Sequence, residues 1–139
     1  MNGFLLDTNV VSELTRTEPD SNVIAFLSEH QDLWLSAVVL HELEFGLQLL
    51  PGGQRRDLLR AALSGIITEY QDRILPVDRD VAERAAAFRA QAHRGRRALD
   101  LGDALIAGTA RAQELSVATR NIADFSGLDV DVINPWEPL

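Results

Sequence analysis

Gly3-Phe4-Leu5-Leu6-Asp7-Thr8-Asn9-Val10-Val11-Ser12-Glu13-Leu14 is the stretch that decides the fold. A short apolar run from Phe4 to Leu6 meets the polar trio Asp7-Thr8-Asn9. Apolar residues then resume from Val10 at a spacing that suits a helical turn or two, so the segment predicts strand, turn, helix. The same alternation continues along the chain. Asp20-Ser21 sits where an N-cap would, ahead of Val23, Ile24, Phe26 and Leu27 at helical spacing to about His30. Leu33 to Ser36 is a second strand candidate. Val39, Leu40, Leu43, Leu47 and Leu50 then recur at three- and four-residue steps, predicting a helix from Val38 until Pro51-Gly52-Gly53 stops it. Arg55 to about Tyr70 is amphipathic, and Ile74 to Val77 is a strand candidate with Pro76 near its end. Asp78 to Ala92 reads as a helix that ends in the basic connector Arg94-Gly95-Arg96-Arg97. Asp100 to Asp103 opens an alanine-rich helix to about Leu115, whose small residues Ala104, Ala107, Gly108 and Ala110 predict close packing on a neighbour. Ser116 to Thr119 is a strand candidate, Asn121 to Asp129 a polar loop with a helical turn, and Val130 to Ile133 a last strand. Helices alternating with short apolar strands give an α/β fold with a mainly parallel sheet.

Bulk properties narrow the function classes. A chain of 139 residues with 46% hydrophobic and 24% charged residues is expected to form one domain, spanning residues 1–139, with a core that needs no disulfide or structural zinc. The absence of cysteine excludes thiol nucleophiles, iron–sulfur clusters and Cys-ligated zinc, so any chemistry runs on oxygen and nitrogen groups. The opening Met1-Asn2-Gly3-Phe4-Leu5-Leu6-Asp7 has no basic segment and too few apolar residues for a leader. No stretch approaches the ~18 apolar residues of a membrane span, and a cytoplasmic location is expected. A net charge of −8 argues against sequence-independent coating of nucleic acid. It leaves room for a nuclease, because carboxylates crowded into a metal site each count as −1 until the cation is added.

Acids at the carboxyl ends of parallel strands stand where ligands collect. Asp7 follows the first strand directly, and Asp124 lies shortly after the Ser116 to Thr119 strand. Each has a plain structural alternative: an Asx turn or N-cap for Asp7, an ordinary loop acid for Asp124. Thr8 and Asn9 are turn formers first. Glu42 falls beside Val39, Phe45 and Gly46 on its helix, so its charge needs either a metal or an arginine partner. Glu44 reads as a solvated charge, and His30, His41 and His93 as surface or hydrogen-bonded histidines. Asp100 and Asp103 have capping-box spacing at the head of their helix. Four acids brought to one point would repel by about 4 kcal/mol per pair at ~4 Å and an effective dielectric of ~20, a penalty that a divalent cation removes. Hard oxygen donors select Mg²⁺ or Mn²⁺ over zinc. An aspartyl-phosphate route needs a second acid two residues after the first, where Asn9 stands, and is disfavoured.

Four dispersed segments resemble, in order, the motifs of the PIN-domain ribonucleases, and especially the VapC-type toxins of toxin–antitoxin pairs. They are Leu5-Leu6-Asp7-Thr8-Asn9-Val10, Ser36-Ala37-Val38-Val39-Leu40-His41-Glu42-Leu43, Asp103-Ala104-Leu105-Ile106-Ala107-Gly108-Thr109-Ala110 and Thr119-Arg120-Asn121-Ile122-Ala123-Asp124-Phe125. The resemblance implies a three-layer fold with a short, mainly parallel β-sheet flanked by helices. It implies that Asp7, Glu42, Asp103 and Asp124 are catalytic carboxylates holding Mg²⁺ (or Mn²⁺), with Thr119 and Asn121 supporting the site and Thr8 adjoining it. The implied activity is endoribonucleolytic, hydrolysing RNA phosphodiester bonds with a metal-activated water. The implied partners are the RNA substrate and a cognate VapB-type antitoxin that obstructs the acidic cleft and binds operator DNA, with the toxin a homodimer within a higher assembly. Asp100 departs from the pattern by adding a carboxylate one turn before Asp103. Arg94, Arg96 and Arg97, with Arg55 and Arg56, are candidate phosphate contacts or a solvated basic loop. The alternative function is a catalytically silent PIN-like module for protein or RNA interaction.

Overall fold

The protein is described by a computed structural model over residues 3–138. Met1 and Asn2, at the head of the segment read for a leader, and Leu139 lie outside the described residues. Strand β1 (Phe4–Leu6) leads into α1 (Thr8–Glu13), then α2 (Ser21–Glu29), β2 (Leu33–Ser36), α3 (Ala37–Leu49) and α4 (Gln54–Glu69). A 3₁₀ turn at Gln71–Arg73 leads to β3 (Ile74–Leu75), followed by α5 (Arg79–Arg94), α6 (Leu101–Gln113), β4 (Ser116–Ala118), a second 3₁₀ turn at Ile122–Phe125, and β5 (Val132–Ile133).

The five strands form one sheet in the order β3-β2-β1-β4-β5, and every pairing is parallel. The expected mainly parallel sheet is thus wholly parallel. From β1 the chain builds outward through β2 and β3, then returns to the other side of β1 for β4 and β5. The order therefore reverses between β1 and β4, where the loops after two adjacent parallel strands diverge and leave a crevice. Register holds this point: Leu6 pairs with Ala118, and the Asp7 N–H donates to the Ala118 carbonyl at 2.9 Å.

Apolar strand residues make the centre of the core. Leu5, Leu6, Leu35 and Val117 are fully buried, with Val10, Val39, Ile106 and Phe125 packed from the surrounding elements. Each such side chain contributes about 1.5–3 kcal/mol when removed from water. The small residues expected to bring one helix close to another do so. Helix α6 packs on α5 at Gly108, where a Cβ would stand 2.8 Å from the Val81 carbonyl oxygen and 3.1 Å from the Ala85 nitrogen.

Several boundaries shift by a residue or two from expectation, and three of the shifts have a clear local reason. Helix α1 begins at Thr8, two residues before Val10, because the Asp7 carboxylate accepts from the Thr8 N–H and caps the helix there. Strand β3 stops at Leu75, since Pro76 has no N–H for the ladder. Strand β5 begins at Val132, because Val130 is held in a turn with its N–H on the Leu128 carbonyl. Among the described residues no helix is long and apolar enough to cross a membrane.

Candidate active site at the strand-order reversal

Asp7 occupies the reversal itself. It is buried, and both carboxylate oxygens have partners: Oδ1 accepts from the Thr8 N–H at 2.8 Å, and Oδ2 accepts from the Thr119 hydroxyl at 2.7 Å and Asn9 Nδ2 at 3.4 Å. Thr119, fully buried just beyond β4, joins the two loops, because its oxygen also accepts from Asn9 Nδ2 at 3.1 Å and the Asn121 N–H at 3.0 Å. Thr119 bonds Asp7 directly, and Asn121 reaches that corner through its N–H on Thr119. Asn9, read as a turn former, lies inside α1 and completes the network through Oδ1, which accepts from the Arg120 N–H at 3.3 Å.

Glu42 is brought in from α3 without, among the described residues, the arginine partner that was one of its two expected compensations. The Thr8 hydroxyl donates to its Oε1. Its other oxygen closes on the head of α6: a Cβ on Gly102 would stand 2.9 Å from Glu42 Oε2 and 3.1 Å from Asp100 Oδ2. A glycine at Gly102 therefore leaves room for both carboxylates. Asp100 itself caps α6, accepting from the Gly102 N–H at 3.1 Å. Asp103 lies in the first turn of that helix and lines the same cleft as Asp7 and Glu42.

Electrostatics report the convergence that spacing could not. Burial, and then the neighbouring charges of Asp7, Asp124, Asp100 and Glu42, push the Asp103 carboxyl up to about 7. Burial also raises the Asp7 carboxyl; the Thr119 hydroxyl and the Thr8 N–H act against this, and Asp124 adds to it. Asp124, exposed on the 3₁₀ turn after β4, is thus within Coulombic reach of both. The acids are near enough to destabilise one another, although no three of the described residues close into a finished metal cage. An all-oxygen donor set with uncompensated mutual repulsion fits a hard divalent cation, and the missing side chain at Gly102 gives the Glu42 carboxylate room beside the Asp100 cap.

The cleft in front of these groups measures about 540 Å³ and is lined by Asp7, Thr8, Asn9, Glu42, Asp103 and Asn121. It is also lined by residues that the sequence reading missed: Ser12, Glu13, Arg16, Arg120 and Trp136. A signal for three of them was available, because Asn9, Ser12, Glu13 and Arg16 recur at i, i+3, i+4 and i+7, a polar stripe that runs along α1 and into the turn after it. Glu13 is buried and accepts from the Asp20 N–H at 2.8 Å and from Arg16, which ties down the chain between α1 and α2. Trp136 carried no periodic signal.

The remaining candidates stand apart. His41, stacked on Phe45, and His93 are exposed as expected, whereas His30 packs against Phe4 and Phe26 with Nε2 buried and without a hydrogen-bond partner among the described residues, so it is neither exposed nor hydrogen-bonded there as expected. Glu44 is a solvated charge paired with Arg60 at 3.2 Å. Arg94 and Arg96 are exposed, while the Arg97 guanidinium donates to the Ser126 carbonyl and so fastens the connector to the loop after Phe125. Arg55 is exposed, and Arg56 donates to Gln48 at 3.2 Å.

The chain is similar to known proteins over nearly its whole length. The chain is 40% identical over 138 residues to VapC ribonuclease Y4jK of Sinorhizobium fredii, covering 97% of this chain and 99% of the relative. It is 39% identical over 136 residues to toxin FitB of Neisseria gonorrhoeae, covering 96% and 98% respectively. Among solved structures, that of FitAB bound to an IR36 DNA fragment superposes with a TM-score of 0.89 at 36% identity, covering 98% of this chain and 97% of that one. The PIN domain profile matches residues 4–129, from the first residue of β1 to beyond the Asp124 turn, and the chain belongs to the PIN domain family.

Proposed function

We propose that this chain is a divalent-metal-dependent endoribonuclease that acts as the toxin of a toxin–antitoxin pair. The observation that carries the reading is the crowding at Asp103, where burial and four other carboxylates raise one acid to about 7. An ordinary fold does not keep such repulsion without use. PIN proteins of the VapC type generally depend on a divalent metal; we assign Mg²⁺ or Mn²⁺ here, held by Asp7, Glu42, Asp103 and Asp124. When bound, the ion supplies Lewis acidity at the phosphoryl group and lowers the pKa of water.

The chain's own residues prepare for that chemistry. Thr119 and the Thr8 N–H fix both oxygens of Asp7, and the Thr8 hydroxyl aims Glu42. Asp103 can carry or release a proton at its carboxyl near neutral pH while the site lacks a cation. With Asp100 spent on capping α6, Asp103 is the acid of that pair left for ligation. The ribonuclease named among the relatives supports RNA as substrate, and we assign the work to the cytoplasm. The toxin FitB relative and the FitAB assembly on DNA support an antitoxin partner. We assign to that antitoxin the acidic cleft, and to a homodimer contact the adjoining apolar groove with its exposed Phe45 and Leu101. A silent interaction module is disfavoured because all four carboxylates are retained.

The test is cleavage of total cellular RNA by the purified protein with Mg²⁺ or Mn²⁺ and with EDTA, beside folded Asp7→Asn and Asp103→Asn variants. Metal-dependent cuts lost in both variants are the expected result. A folded wild type that leaves RNA intact in every metal overturns the reading.

A further inference from the structure

In a chain of net charge −8, the cations facing the acidic cleft call for an account, because RNA is not drawn there by overall charge. Two arginines line the cleft, Arg16 and Arg120. Arg16 is already engaged, 3.3 Å from the buried Glu13 carboxylate. Arg120 is different. Its backbone N–H is anchored on Asn9 Oδ1, inside the Asp7 network, yet its guanidinium forms no ion pair among the described residues. The guanidinium lies over the ring of Trp136, 5.0 Å from the centroid.

That arrangement is unusual for its surroundings. Asp7, Glu42 and Asp103 line the same cleft, and a flexible cation beside them gains most by folding onto a carboxylate. An aromatic face instead holds Arg120 aside, which leaves the acids free for a metal and the guanidinium free for an incoming anion. Trp136 is itself secured. Its N–H donates to Asn134 Oδ1 at 2.9 Å, its carbonyl accepts from Asn22 Nδ2 at 2.8 Å, and Pro135 before it is buried. The segment after β5 thus returns an indole to the mouth of a site built from β1 and β4.

We propose that Arg120, held on the face of Trp136, contacts an RNA phosphate next to the scissile bond, and that Trp136 is a positioning residue acting through it. The inference rests on the ribonuclease reading and deepens it. A planar guanidinium suits bidentate phosphate contact, and an arginine pinned to a ring loses less side-chain freedom when it binds.

The experiment measures binding of labelled bulk tRNA, across a salt series, by protein carrying Asp103→Asn so that binding proceeds without turnover. Arg120→Gln is expected to weaken binding about tenfold and to lower the slope of log affinity against log salt by about 0.7–0.9, the value of one phosphate contact. Trp136→Leu should weaken binding in an Arg120 protein and add nothing in an Arg120→Gln protein, while Trp136→Phe, which keeps a ring face, restores most of the loss. Circular dichroism checks the fold of each variant, and Arg120→Gln leaves the indole untouched if Trp136→Leu does not fold. Wild type that cleaves RNA while Arg120→Gln matches its parent in slope and affinity overturns this inference and leaves the ribonuclease reading standing. Additive losses from Trp136→Leu and Arg120→Gln overturn the positioning role. Wild type that neither binds nor cleaves overturns both readings.

Discussion

Asp103→Asn should make the metal-free protein more stable at pH 8, against the usual expectation for a substitution in a site. The Asp103 carboxyl titrates near 7 in the folded chain and near its ordinary 3.8 when unfolded. Between those values the folded state binds the proton more tightly, so stability falls as pH rises. The favourable contribution is fully present below about 3.8 and is lost as pH climbs through 7. At about 1.4 kcal/mol per pH unit the gap sets a ceiling of about 4 kcal/mol. Asp103 is only partly buried, and solvent screening reduces this to about 2 kcal/mol. For a domain of this size, about 2 kcal/mol corresponds to roughly 8 °C in Tm.

The assay is thermal unfolding followed by circular dichroism in EDTA at several pH values. The variant and the wild type should melt together near pH 4 and separate steadily as pH rises, with the variant ahead at pH 8. Added Mg²⁺ or Mn²⁺ should reverse the order, since only the wild type keeps all four ligands, and a ligand at about 100 times its Kd contributes about 2.7 kcal/mol. An Asp103→Asn protein that melts at or below wild type in EDTA at pH 8 refutes the crowding argument and, with it, the main support for a metal site at this position.

Other substitutions separate the parts of the site. Thr119→Val removes the hydroxyl that serves Asp7, Asn9 and Asn121 together, and should cost about 1–3 kcal/mol in denaturant unfolding as well as metal-dependent cleavage. Gly102→Ala places a methyl against the carboxylates of Glu42 and Asp100, both movable, so Tm should hold or rise while the metal concentration for half-maximal activity increases about tenfold. An unchanged metal requirement would remove Glu42 from the ligand set. Gly108→Ala meets backbone of α5, which cannot yield cheaply, and should lower stability by about 1–3 kcal/mol without altering the metal requirement of the folded fraction.

Much of the fold was legible because its elements are locally punctuated. Pro51-Gly52-Gly53 ends α3, Asp20 and Asp78 accept from backbone N–H groups at the heads of α2 and α5, and the apolar strands are too short to compete as helices. What was lost lay where neighbours decide. Strands β3 and β5 are two residues each, and their limits are set by a proline and a turn, not by hydrophobicity. At the site, sequence could nominate acids but could not bring them together, since parallel order and the reversal between β1 and β4 arise from long-range pairing. Arg120 stood inside a motif without any sign of its role, because the partner that gives it one, Trp136, follows the last strand.

The two readings of Asp7, helix cap and proposed ligand, do not exclude each other, because its two oxygens have separate partners. Oδ1 starts α1 through the Thr8 N–H, and Oδ2 is held by Thr119 from the neighbouring strand end. Capping places the carboxylate at the positive end of a helix and so offsets part of its burial. The same geometry puts Thr8 one residue on, where its hydroxyl reaches Glu42. A structural role therefore positions two of the four acids at once, and Asp7→Asn should disturb Glu42 as well as Asp7. Asp100 shows the converse case. Its carboxylate caps α6 at Gly102, and Asp103, three residues later, has no such duty. Folding thus assigns caps to the acids that can serve backbone and leaves Asp103 with its repulsion unrelieved, so that under the proposed metal site cation binding and folding stability would be linked quantities.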